Sequence, residues 1–132
     1  GFLLLEDFGD DRLREHLDLH PIDERDEYAR AVDALVTLRN MPPGPFPPYD
    51  MDAYLREVEL FIDWFCPAAG LDVDREGWTT VWREVLAPVL ARQQPGVTVL
   101  RDYHAENIML LPNGQQGIID FQDALVGHAA YD

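Results

Sequence analysis

Apolar residues in the first two thirds of the chain recur mostly at helical spacing. Leu13 and Leu17 predict a short helix between Asp11 and Leu19. Asp23 stands where it can cap a second helix, with Asp26 and Glu27 in a first turn whose dipole favours acids. The apolar stripe of that helix is Tyr28, Ala31, Val32, Leu35 and Leu38. Met41–Tyr49 (MPPGPFPPY) holds five of the ten prolines, so it reads as an extended, semi-rigid segment. Amphipathic flanks on both sides favour a stiff crossover between helices over a ligand for a proline-recognition domain. Asp50 or Asp52 then opens a helix to Phe65, with Tyr54, Leu55, Val58, Phe61, Ile62 and Phe65 on one face. Cys66 and Pro67 are expected to end it. Its acids Glu57, Glu59 and Asp63 fall partly on the other face, as a solvated surface rather than a cleft lining. Asp74 caps a longer helix carrying Trp78, Val81, Trp82, Val85, Leu86, Val89 and Leu90, with a kink expected at Pro88. Both tryptophans lie on that stripe, which places them in the core rather than as sugar-stacking platforms.

The period changes at the two ends. Gly1–Leu5 (GFLLL) reads as a short buried strand and Glu6–Asp10 as a turn. Val97–Leu100 is a second strand signal, followed by a polar loop, Arg101–Glu106, and an apolar run, Asn107–Leu111. Pro112-Asn113-Gly114 is a turn, and Gly117–Asp120 is the returning strand. The fold class is therefore α+β, mainly helical. Asp102, Asn107 and Asp120 are expected at strand ends, on a loop and hairpin that can bring two carboxylates and an amide to one rim. Such hard oxygen donors suit Mg²⁺, which shares its coordination with substrate phosphates.

The chain has 132 residues, one domain's worth, and its 47% hydrophobic content is enough for a core. A formal charge of -15 repels nucleic acid and anionic membrane surfaces, which argues against either as a partner. The single cysteine, Cys66, forms no internal disulfide and fits a reducing compartment. With no apolar run near membrane length and no secretory leader, the cytoplasm is the expected location.

Asp102-x-x-x-x-Asn107 followed by Ile119-Asp120-Phe121 resembles the catalytic loop and metal-binding Asp of protein-kinase-like enzymes. Asp102-Tyr103-His104-Ala105-Glu106-Asn107, with His two residues after the Asp, resembles the aminoglycoside phosphotransferase family. Within it, Arg101–His104 and Asp120–Ala124 are most similar to bacterial sugar kinases that phosphorylate N-acetylmuramate and N-acetylglucosamine at the anomeric hydroxyl in cell-wall recycling. Leu100 departs from the pattern, since related kinases usually place His there.

The resemblance implies the large lobe of a kinase-like fold, with residues 1–10 as hinge strand and linker. Residues 11–132 would be the helical lobe with catalytic loop and metal-binding hairpin. Neither a Gly-rich phosphate loop nor a Val-Ala-x-Lys strand occurs in the sequence. The chain thus reads as an internal fragment without the small lobe, and by itself it is expected to be inactive. Glu6, Asp7 and Phe8 would hold the adenine of ATP through the hinge. Asp102 would orient the acceptor hydroxyl and take its proton. Asn107 and Asp120 would hold Mg²⁺ against the phosphates. His104 either braces the loop or touches substrate. Arg101 offsets the acids or pairs with one, and Gln122 and Asp123 reach toward substrate or metal. Two alternatives stand beside this reading: a kinase of the same family acting on aminoglycosides, whose polycations an acidic lobe attracts, and a non-catalytic binding lobe.

Overall fold

In the computed structural model, which describes residues 4–132, helices predominate over short strands, in an α+β arrangement. In chain order, α1 spans Leu13–Leu19, α2 Glu24–Asn40, α3 Met51–Leu60, α4 Cys66–Ala68 and α5 Arg75–Ala91. The strands are β1 Val97–Val99, β2 Ile108–Leu110, β3 Gln116–Ile118 and β4 Leu125–Gly127. By its internal contacts the chain divides into two units. One holds the residues up to Pro42, Leu100–Ala124 and Asp132; the other holds Pro43–Val99 and Leu125–Tyr131.

The first unit is built on Leu13, which is fully buried with Ala31 and Ile108; Leu17, Tyr103, Ala105 and Leu110 pack around them. β2 and β3 form the expected hairpin, antiparallel, with Ile108 opposite Ile118 and Leu110 opposite Gln116. Asn113 and Gly114 turn it, Gly114 taking the positive φ (78°) that the turn requires. On the other edge of β2, Arg12 bridges Met109 and the Leu110 N–H donates to the Asp11 carbonyl at 2.7 Å, fixing the entry to α1 against the hairpin.

Three expectations are corrected in this unit. Of the Gly1–Leu5 strand, Gly1–Leu3 lie outside the described residues; Leu4 and Leu5 are exposed, and among the described residues no strand pairs with them to complete a ladder. Asp23 makes no side-chain cap to α2, since it closes a 3₁₀ turn over Pro21–Asp23 and its carboxylate faces His16 Nε2 at 3.1 Å. The buried face of α2 is also rotated from the expected stripe. Tyr28 and Val32 are exposed, whereas Glu27 and Ala31 are buried. A buried carboxylate needs partners, and Glu27 has them: the Arg30 guanidinium pairs with it, and Gln116 Nε2 donates to its Oε2 at 3.0 Å and to its carbonyl at 3.1 Å.

In the second unit α3 and α5 enclose a core of Tyr49, Ala53, Tyr54, Leu55, Leu86 and Val99. The caps read from the sequence are present: Asp50 accepts from the Ala53 N–H at 2.9 Å and Asp74 from the Gly77 N–H at 3.0 Å. The helix opened by α3 does not stop at Cys66-Pro67. It widens into a π turn over Phe61–Phe65 and continues through α4. That turn shifts the bonding register, with the Cys66 N–H reaching the Phe61 carbonyl, so proline enters a helix that its missing N–H would otherwise break. The stop comes at Gly70, φ 68°, where Gly70 N–H donates to Pro67 C=O and Leu71 N–H to Cys66 C=O, the paired bonds of a Schellman motif. Trp82 packs on the core, while Trp78 stacks on Phe61 with ring centroids 5.4 Å apart.

The proline segment is more than a crossover. Val126 N–H donates to the Pro47 carbonyl and Tyr49 N–H to the Val126 carbonyl, each at 2.8 Å, so it runs along β4 as an edge, where prolines cost no ladder bond. β4 in turn pairs with β1, Val97 opposite Gly127. Tyr49, fully buried, stacks on Tyr54 and donates its hydroxyl to Glu57. Burial, then the Glu57 carboxylate, pushes that phenol far above the ordinary tyrosine value, so it stays a neutral donor.

Candidate active site

All candidate site residues belong to the first unit. The loop from Leu100 to Asn107 is held at three places. At its start, the N–H groups of Leu100 and Arg101 both donate to the Asp132 carboxylate, at 2.7 and 2.8 Å. Arg101 there adopts φ 76°, the left-handed region, which costs a side-chain-bearing residue about 1–2 kcal/mol. Hydrogen bonds to a charged group contribute about 1.5–3 kcal/mol each, so two of them outweigh the strain. In its middle, the Tyr103 hydroxyl donates to the Ala31 carbonyl of α2 at 2.8 Å. Burial, then the Asp132 charge, raises the Tyr103 pKa, which keeps that donor protonated. At its end, Ala105–Asn107 form a 3₁₀ turn, and the Asn107 side-chain amide donates back to the Asp102 carbonyl at 3.0 Å.

Asn107 also ties the loop to the hairpin, because the Ile119 N–H donates to its carbonyl at 3.0 Å. Asn107 and Asp120 therefore leave β2 and β3 at the same end. Asp120 is the second left-handed residue, φ 60°, a conformation that Asp tolerates better than most residues. Arg101 opens the loop and Asp120 follows the strand tied to its end, so both left-handed residues lie beside Asp102 and Asn107. Gln122 Nε2 donates to Asp120 Oδ1, and Arg101 Nη1 reaches the Asp123 carbonyl at 3.4 Å. Asp123 thus enters through its backbone. Leu100, where the resemblance expects His, is buried and offers its backbone N–H to the clamp, so the clamp does not need that imidazole.

Glu6, Asp7 and Phe8 line a cleft of about 400 Å³ together with Arg12, Glu15, Met109 and Ile119. Met109 lies two residues beyond Asn107 and Ile119 directly precedes Asp120, so the cleft is floored by the hairpin whose open end carries both. The Phe8 ring lies over Gly117; a Cβ there would come within 2.7 Å of Phe8 Cδ2 and Cε2. Asp132, Tyr103 and Gly117 were not legible as site residues. Asp132 is one acid among 25 in the chain, 31 residues beyond Arg101, and nothing local marks it.

The donor set fits a magnesium ion shared with phosphates. Among the described residues no three His, Cys, Asp or Glu side chains gather as a closed metal cage. One amide and one carboxylate at a strand end leave the coordination open, as Mg²⁺ bound through substrate phosphates requires.

The whole chain, residues 1–132, matches the model of the phosphotransferase enzyme family, and the chain belongs to that family. Among curated proteins it is 41% identical to an N-acetylmuramate/N-acetylglucosamine kinase of Pseudomonas aeruginosa and 40% identical to one of Pseudomonas putida. The alignments cover all of this chain and 39% of each relative. A kinase of the same name from Neisseria meningitidis is 35% identical over the whole chain and 41% of its own length. The chain thus spans about two fifths of the length of these relatives.

Proposed function

We propose that the full-length protein is an ATP- and Mg²⁺-dependent kinase that phosphorylates the anomeric hydroxyl of N-acetylmuramate or N-acetylglucosamine. The observation that carries this reading is the loop Leu100–Asn107, clamped at Arg101 and tied through Asn107 to the strand that delivers Asp120. In this reading residues 1–10 are the hinge and the remainder is the large lobe of a kinase-like fold. The proposed place of the reaction is the cytoplasm, in cell-wall recycling.

Phosphoryl transfer passes through a loose, charge-rich transition state, so the protein's part is positioning and electrostatics. Bound Mg²⁺ supplies charge neutralisation to the phosphates. Asn107 and Asp120 would hold it, the amide as a neutral oxygen donor that leaves room for phosphate charge. Asp102 holds the acceptor hydroxyl in line and takes its proton. Gln122, bonded to Asp120, orients that carboxylate. Glu6, Asp7 and Phe8 receive the nucleobase in the cleft beside the hairpin.

The formal charge of -15 favours a second substrate class, polycationic aminoglycosides, through attraction to the acidic surface. The deciding experiment is ADP release by the full-length protein with N-acetylmuramate, N-acetylglucosamine and kanamycin, followed by ³¹P–¹H NMR of the product. Phosphate on the anomeric oxygen of an N-acetylated amino sugar is expected. Transfer to kanamycin alone, or to a non-anomeric hydroxyl, would overturn the substrate assignment.

The cleft supplies its own test. Gly117→Val puts carbon where the Phe8 ring lies, forcing the ring outward at a cost of about 1–3 kcal/mol. ATP affinity is expected to fall roughly tenfold while the acceptor KM holds. Unchanged nucleotide binding by calorimetry would remove Phe8 from the nucleotide site.

A further inference from the structure

Asn107 uses nearly all of its hydrogen-bonding capacity inside the loop. Its backbone N–H donates to the His104 carbonyl at 2.9 Å and its carbonyl accepts from Ile119 at 3.0 Å. A carboxamide nitrogen carries two hydrogens. Here Nδ2 faces the Asp102 carbonyl at 3.0 Å and His104 Nε2 at 3.4 Å. The second contact follows from local geometry. His104 directly precedes the 3₁₀ turn that ends at Asn107, and side chains three residues apart eclipse in such a turn.

We propose that His104 is a positioning residue for Asn107: its Nε2, with the Asp102 carbonyl, takes both amide hydrogens and commits Oδ1 to a cation. The inference rests on the reading of Asn107 as a metal ligand given above. An amide turned by 180° would present NH₂ to the cation, so whatever fixes the flip fixes the ligand. A ring that accepts at Nε2 carries its hydrogen on Nδ1. The neighbouring Tyr103 is already anchored to α2, which leaves His104 free of the task of holding the loop down. Groups that orient a metal ligand without touching the metal typically change metal affinity 10–100-fold when removed.

The test uses the full-length protein with a non-hydrolysable ATP analogue, Mn²⁺ as the metal, and electron paramagnetic resonance to count bound Mn²⁺, beside steady-state assays with ATP that read the sugar KM. His104→Leu keeps bulk and removes the acceptor; His104→Gln restores an acceptor oxygen. The Leu variant is expected to bind Mn²⁺ about tenfold more weakly, with the sugar KM unchanged, and the Gln variant to recover to within about threefold. If the Leu variant does not fold, His104→Phe, which also lacks an acceptor, takes its place. Equal Mn²⁺ affinity in all variants, a Gln variant as weak as Leu, or a loss confined to sugar KM would each overturn the inference. Wild-type protein that binds Mn²⁺ with nucleotide but phosphorylates no sugar would sink only the substrate assignment, and the Mn²⁺ titration would still decide the role of His104. Wild-type protein that binds no Mn²⁺ with nucleotide would overturn both.

Discussion

Replacing Asp102 by Asn in the full-length enzyme lowers kcat by about 10²–10⁴ and leaves sugar and ATP binding nearly intact. The substitution preserves shape and removes the only property that the proposed role uses, a proton-accepting carboxylate. The ties that hold the loop described above do not use that carboxylate. They are the Asp102 backbone carbonyl to Asn107, the Tyr103 hydroxyl to Ala31, and the Leu100 and Arg101 amides to Asp132. An anomeric hydroxyl is more acidic than an ordinary alcohol, so an exposed carboxylate is base enough. The check is steady-state kinetics with N-acetylmuramate or N-acetylglucosamine, beside calorimetric binding of each substrate. An Asn variant with undiminished kcat would remove Asp102 from the chemistry; one that no longer binds sugar would make it a binding group instead.

The residues of that loop were legible because their chemistry is local. Asp102, Asn107 and Asp120 sit within nineteen positions, and the Asn113-Gly114 turn between two apolar runs fixes which ends of the strands meet. What holds them was not legible. Asp132 reaches back 31 positions to Arg101, and β4, only three residues long, is too short to show a period. The buried face of α2 was misjudged for a different reason. Hydrophobicity places Tyr28 and Val32 inside, but Arg30 and Gln116 compensate the Glu27 charge and let a carboxylate occupy that side. A stripe counted in apolar residues alone cannot register a buried ion pair whose amide partner lies 89 residues away. The π turn belongs to the same class. Pro67 is a helix stop by its local chemistry, and only the shifted bonds of Phe61–Phe65 let the helix pass it.

The second large effect is expected at Asp132, through the backbone rather than by contact with substrate. Asp132→Ala removes the acceptor of two N–H groups, one of them on buried Leu100, and the force that holds Arg101 at φ 76°. An unsatisfied buried donor costs about 1–3 kcal/mol. Arg101 would also relax toward negative φ and gain back the strain of about 1–2 kcal/mol. The net loss of stability should therefore be modest, a few degrees in Tm, whereas the rotation at Arg101 carries Asp102, the next residue, away from its position. A displacement of about 1 Å at a reacting group can cost on the order of 10²-fold in rate, so kcat should fall by about that factor with far smaller changes in the two KM values. Glycine adopts positive φ without penalty, which gives the control its direction. Adding Arg101→Gly to Asp132→Ala should not repair kcat, because the clamp is still missing. Adding it to wild type should keep the backbone in place and lose what the guanidinium contributes, its contact with the Asp123 carbonyl included. Thermal melts and kcat for the two single variants and the double variant separate these terms. A Tm loss without a kcat loss in Asp132→Ala would mean that the clamp stabilises the fold and leaves the geometry of Asp102 to Tyr103 and Asn107.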